Sequence, residues 1–266
     1  MILFFIKKSF FDGWDHVFAL ALANVALSLF LVGEGFLSWM MLANRGGVPV
    51  SVVELLVLAA GASACSVAAG GVAWVANCMA EYRKAGFKDL WEGLKKTAGR
   101  SALFGLLAFA ILTVMVIALR FYGQQGGVLG LLAIGFMFWV GLFVLLAFQW
   151  FFAVMVRLDG KFLKILRKCF LIALDNLGFS AFIWFWNAIG AGISVFTGGL
   201  APGPCGILLC TCDALKLRVL KYDWLESNPG SKKSAVPWDE LLKEDEELVG
   251  QRSLRGMIFP WKDQQR

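Results

Sequence analysis

Between Val52 and Ala80 the chain runs through 29 residues with one charged side chain, Glu54. Crossing a hydrocarbon layer of about 30 Å takes about 20 apolar residues in a helix. Inside lipid, only helices and closed barrels satisfy every backbone N–H and C=O. Comparable runs cover 17–42, 101–122, 128–156 and 177–197, and a shorter one, 205–220, carries Asp213, Lys216 and Arg218. The fold class this predicts is all-α: an integral membrane helical bundle of about six transmembrane helices. The last of them is the weakest span, with a re-entrant or interfacial helix as its alternative. Charged residues make up 17% of the chain, against about 25% in soluble domains, and they gather between the runs.

Three of those gatherings read as basic amphipathic interfacial helices, over 4–15, 84–99 and 160–175. In the second, Phe87, Leu90, Trp91, Leu94 and Ala98 recur at helical spacing, with Lys84, Lys88, Lys95, Lys96 and Arg100 largely off the stripe. This predicts a helix lying in the headgroup region, aromatic face down. In the third, Lys161, Lys164 and Lys168 share one face, and Phe162, Leu166, Cys169, Phe170 and Ala173 another. Lys and Arg are scarce on the opposite side, where Arg45 and Arg120 fall. The asymmetry predicts both termini in the cytoplasm and an even number of spans. It also accounts for the net charge of +6 through anionic inner-leaflet headgroups rather than nucleic acid.

Phe10-x-Asp12-x-Trp14 recurs as Phe87-x-Asp89-x-Trp91. The recurrence reads either as a repeat of interfacial helix plus helical hairpin or as chance likeness; a carboxylate in a first helical turn explains both aspartates. The centre of the second run, LAAGASACSVAAGGVA, is made of small residues that let helices approach closely. Beyond Leu220 the composition changes: 221–266 reads as a cytoplasmic tail with a linker, a short acidic helix after Pro237 and an aromatic end. Its Trp238, Leu241, Leu242, Leu248 and Trp261 predict docking, on the bundle or on a partner.

Chemistry-bearing motifs are few. One histidine, His16, rules out a histidine-based triad or a multi-histidine metal site. Cys205, Cys210 and Cys212 lack the spacing of a metal-binding pair and read as small apolar filler, and no cofactor motif occurs. The predicted catalytic, cofactor and metal sites are therefore none. Glu34, Glu54 and Arg120 form a candidate polar intramembrane cluster. They read as ion pairs (Glu34–Arg120, Glu54–Arg45) or as an outward-open site for a cation or polar solute. Asn24, Asn77, Gln149, Asn187 and Asp213 read as interhelical hydrogen-bonding groups.

The blocks GFKDLWEGLKKTAGRSALFG and FFAVMVRLDGKFLKILRKCFLIALDN, with the order of the hairpins, resemble the YesL-like family of bacterial membrane proteins over roughly Phe10 to Leu220. Leu94 and Thr97 stand where that family has Phe and Asn, and the tail lies outside the resemblance. The resemblance implies a polytopic protein of the bacterial inner membrane, associated with carbohydrate uptake, and supplies no catalytic residues. Two functional classes follow. One is a non-enzymatic accessory or scaffolding partner of another membrane system; the other is a small-solute or ion transporter using the acidic residues of the outer half.

Overall fold

The computed structural model describes residues 1–43, 50–230 and 236–250. Every regular element among them is a helix: α1 (Ile2–Asp15), α2 (Val17–Leu42), α3 (Val52–Ala80), α4 (Phe87–Gln125), α5 (Gly127–Phe148) and α6 (Phe151–Arg157). They continue as α7 (Phe162–Asp175), α8 (Leu177–Phe196), α9 (Gly203–Ser227), α10 (Trp238–Leu241) and α11 (Lys243–Val249). Five segments among the described residues are long and apolar enough to cross a membrane: α2, α3, α4, α5 running on into α6, and α8. Their large side chains stay exposed, Leu129 at 81% and Phe196 at 92%, as lipid-facing surface would be.

The buried core lies elsewhere. It is assembled from α1, the last third of α3, α6, α7 and α9, around the fully enclosed Trp150, Phe151, Met79 and Leu215. The molecule thus has an apolar band and a tightly packed head.

The basic segment 84–99 does not form a surface helix of its own, which corrects the sequence expectation. Residues 87–125 are one helix, started by the Asp89 carboxylate accepting the Gly86 N–H at 2.9 Å. At 1.5 Å per residue, its 39 residues measure about 58 Å. That is nearly twice the hydrocarbon thickness of about 30 Å, so its charged first third extends past any apolar layer. The expected stripe divides. Leu90 and Leu94 turn to α3, where Leu94 faces Gly71, while Phe87 and Trp91 remain 71% and 56% exposed. Gly93 admits the Trp74 ring, and Gly70 admits Thr97 and Ser101. Ser66 donates to the Ser101 carbonyl at 2.6 Å. The small residues of α3 are filled by α4.

Segment 160–175 forms the separate amphipathic helix α7, burying Ile165, Cys169, Ile172 and Ala173. Helix α1 departs from the expected interfacial placement. It buries Phe4, Phe5, Lys8, Ser9, Phe11 and Asp12 against the head, Phe5 meeting Phe179 and Phe182 edge-on.

Helix α9 differs from the expected sixth span, for it is not among the segments apolar enough to cross lipid. It can carry charge because protein surrounds it: α1, α2, α3, α6 and α8 all pack on it. It returns from the α8 hairpin, whose base is tied where Asn176 donates to the Tyr222 hydroxyl at 2.6 Å. The hairpin tip meets α2 at Asn24, in the first half of that helix. There the Asn24 amide donates to the Leu200 and Pro202 carbonyls at 2.8 and 2.9 Å and accepts the Cys205 N–H at 2.6 Å. Gly203 has φ +63°, and a Cβ there would overlap the Asn24 amide, so the turn requires glycine twice over.

The α3–α4 contact can be tested at Gly105, where a Cβ would lie 2.7 Å from the Ala62 carbonyl oxygen and 2.8 Å from the Ser63 Cα. Gly105→Ala should lower stability by about 1–3 kcal/mol in micelle unfolding, because backbone must move to admit it. Gly99→Ala, with nothing within 4 Å, should be neutral or raise stability by up to about 1 kcal/mol.

Candidate functional site

At the centre of the head, Lys8 has no exposed surface, and neither has Asp213; Asp12 is 2% exposed. The Lys8 ammonium donates to the Asp12 carboxylate one turn on and to the Ala80 carbonyl oxygen at the end of α3, 3.0 Å away. It also pairs with Asp213 Oδ1 of α9 at 3.2 Å. The Tyr82 ring caps it, 4.1 Å from centroid to Nζ. One side chain thus joins α1, the end of α3 and α9.

The lysine–aspartate pair at positions 8 and 12 follows the helical repeat, and Phe4, Phe5 and Phe11 share the same buried face. Tyr82 reaches the site from the turn after α3, where its φ is +56°. The tail closes the far side. Lys216 lies 4.8 Å from the Tyr82 centroid and pairs with Asp245 of α11 at 2.5 Å. Leu242 and Val249 join the core, and Lys7 donates to the Gly250 carbonyl at 3.0 Å.

The electrostatics are unusual. Burial would lower the Lys8 pKa, but the Asp213 and Asp12 carboxylates outweigh it and hold the ammonium above its ordinary range. Burial and then the neighbouring Asp213 carboxylate push Asp12 up to about 8, against the pull of Lys8. Among the described residues neither oxygen of Asp213 accepts a hydrogen bond, since Lys8 approaches it as an ion pair without hydrogen-bond alignment.

A second buried group lies at the base of the α8–α9 hairpin. Arg218, 5% exposed, donates to the Asn176 side-chain oxygen Oδ1 at 3.1 Å and stacks 3.7 Å from the Phe179 ring. Trp238 lies on its other side, centroid 5.7 Å away. Lys221 donates to the same Asn176 oxygen at 3.0 Å.

Asp213, read from the sequence as an interhelical hydrogen-bonding group, belongs to this centre, whereas Glu34, Glu54 and Arg120 lie apart from it, and among the described residues no hydrogen bond or ion pair joins those three. The Glu34 carboxylate packs into the notch at Gly61 of α3, where a Cβ would overlap it. Glu54 sits two turns away in a capping box, accepting from the Ser51 N–H and hydroxyl at 2.8 and 2.7 Å. Arg120 is exposed on α4, and among the described residues no ion pair joins it to Glu34. Arg45 and Trp261 lie outside the described residues.

Lys84, Lys88 and Lys95 are exposed, Lys95 over the Trp91 ring at 5.2 Å. Lys96 pairs with Glu92 at 2.5 Å and lies over Trp74. On α7 Lys161 and Lys164 are exposed, while Lys168 donates to the Leu158 carbonyl at 3.3 Å.

Asp12 and Asp89, paired by sequence, play different parts: Asp89 caps α4, and Asp12 lies in the last turn of α1 inside the head. The buried lysine was hidden by its neighbour, since Lys7-Lys8 reads as a basic flank. The signal that could have found it is a lysine and an aspartate four apart on the face that carries Phe4, Phe5 and Phe11. Among the described residues no three His, Cys, Asp or Glu side chains converge as metal ligands. No family model, curated protein or solved structure matches this chain.

Removing one member of such a group strands the others. Lys8→Met should cost about 3–5 kcal/mol, read as a lowered unfolding midpoint in micelles. Changing Lys8, Asp12 and Asp213 together to apolar residues of similar size should recover most of that loss.

Proposed function

We propose that the chain is a non-enzymatic accessory protein of the bacterial inner membrane, with its head in the cytoplasm, that docks onto another membrane system. The observation that carries this reading is the free face of α4. Its first turns extend beyond the apolar band with Leu90, Gly93, Leu94 and Thr97 turned to α3, leaving Phe87, Lys88, Trp91 and Lys95 outward. Exposed aromatics among lysines on a rigid helix supply a docking surface of large apolar area with a basic rim. The lysines of α4 and α7 beside an apolar band also suit an inner leaflet rich in anionic headgroups. The Lys7 ammonium donates to the Gly250 carbonyl oxygen, which supports placing α1 and α11 on one side of the membrane. Resemblance to the YesL-like family makes a carbohydrate-uptake system the first partner to seek.

A second reading rests on Glu34. A carboxylate within an apolar helix, seated in a glycine notch with no cation beside it among the described residues, is the kind of group a small-solute or ion transporter uses.

Affinity purification in mild detergent separates the two. Docking predicts a specific membrane partner that Lys88→Glu with Lys95→Glu removes, without lowering the protein's own unfolding temperature. Recovery of the protein alone, with solute uptake abolished by Glu34→Gln, would select the transporter.

A further inference from the structure

Around Tyr82 stand two ammonium groups, Lys8 and Lys216, and three carboxylates, Asp12, Asp213 and Asp245, none of the carboxylates more than 5% exposed. Lys216 is committed to Asp245 on the tail side. On the inner side Lys8 faces two carboxylates alone. An uncompensated ionised carboxylate in a dry interior costs several kcal/mol, so such groups neutralise instead.

Among the described residues, the other groups around the pair are directed elsewhere or neutral. Between α1 and α2, the His16 ring Nδ1 lies 3.0 Å from the Asp12 carbonyl oxygen, not its carboxylate. From α9, burial pushes the Cys210 and Cys212 thiols up and keeps them neutral. From α6, Arg157 is directed to Glu81 at 3.5 Å, and the Tyr82 hydroxyl is held neutral chiefly by burial. The Asp12 and Asp213 carboxylates both reach the one Lys8 ammonium group, yet among the described residues both Asp213 oxygens go without a donor. A proton on either carboxyl supplies the missing donor and cancels the excess charge.

We propose that Asp12 and Asp213 hold one proton between them, making the Lys8 cluster a proton-binding site at the junction of α1, α3, α9 and the tail. The reading is independent of which partner the α4 face meets. When the proton leaves, two buried carboxylates face each other across one ammonium group, and the contacts of α1 with α9 weaken. Proton occupancy thereby sets how tightly the N-terminal helix, and the α11 segment latched beside it, are held.

Infrared spectroscopy of the full chain in bilayers reads the proton directly. At neutral pH the wild type should show the carbonyl stretch of an un-ionised carboxylic acid, shifting in D2O. Asp12→Asn and Asp213→Asn, each of which keeps a neutral hydrogen-bonding partner, should both remove it. A band unchanged in both variants, or no band in the wild type, overturns the proposal.

A second measurement covers variants that fold poorly. The pKa of Asp12 is raised in the folded chain, so the folded state binds the extra proton. Stability is therefore full below the ordinary carboxylate value of 3.8 and is lost as pH rises from there to about 8. The wild-type unfolding temperature should fall across that interval, and Asp12→Asn should flatten the profile. A wild-type profile already flat there contradicts the shared proton.

Discussion

An ammonium group with no exposed surface stays charged only if carboxylates and carbonyl oxygens replace its water. For Lys8 those groups come from three places in the chain: Asp12 on its own helix, Ala80 at the end of α3, and Asp213 on α9. The desolvation of such an ion is several kcal/mol, recovered only when all its partners are in position. The requirement is geometric. It fixes how far α1 is inserted, where α3 ends and how α9 is rotated. Tyr82 then covers the ammonium group, and Lys216 and Asp245 bring the tail over Tyr82.

Much of the remaining architecture follows from that centre. Helix α9 can be polar because it is enclosed by five other helices, and the α8–α9 hairpin can end against the middle of the bundle because Asn24 satisfies its turn. Irregular backbone beside apolar helices is tolerated where protein groups meet its hydrogen-bonding needs. The glycines of α3 and α4 serve the other half of the molecule. They bring two long helices together without bulky side chains, and leave the outer faces of both to apolar residues.

The sequence made the apolar helices plain, since length and hydropathy alone define them. The break between α4 and α5 at Gly126 and the separate amphipathic helix α7 were equally readable from glycine and charge. Three features were not. The period of Phe87, Leu90, Trp91 and Leu94 identifies a helix but not its direction, and only the Gly93 and Thr97 contacts show that half of the stripe serves α3. Helix α9 resembled a poor span because hydropathy cannot tell lipid from protein surroundings. Asp213 lies about two hundred positions from Lys8 and Asp12, and no local pattern announces that it meets them. Glu34 and Glu54, conspicuous as charges in apolar runs, proved to be seated separately, one in a glycine notch and one in a helix cap.

The central claim is that α1 belongs to the interior of the head, held there by its lysine. Residue-resolved amide hydrogen exchange of the whole protein in a bilayer mimetic tests it most directly. The account predicts that the amides of Phe5 to Phe11 exchange as slowly as those of Leu209 to Leu217, because both helices open only when the same ion cluster is broken. Exchange of the α1 amides at the rate of exposed α10, with α9 still protected, would show α1 lying loosely at the surface and would contradict it.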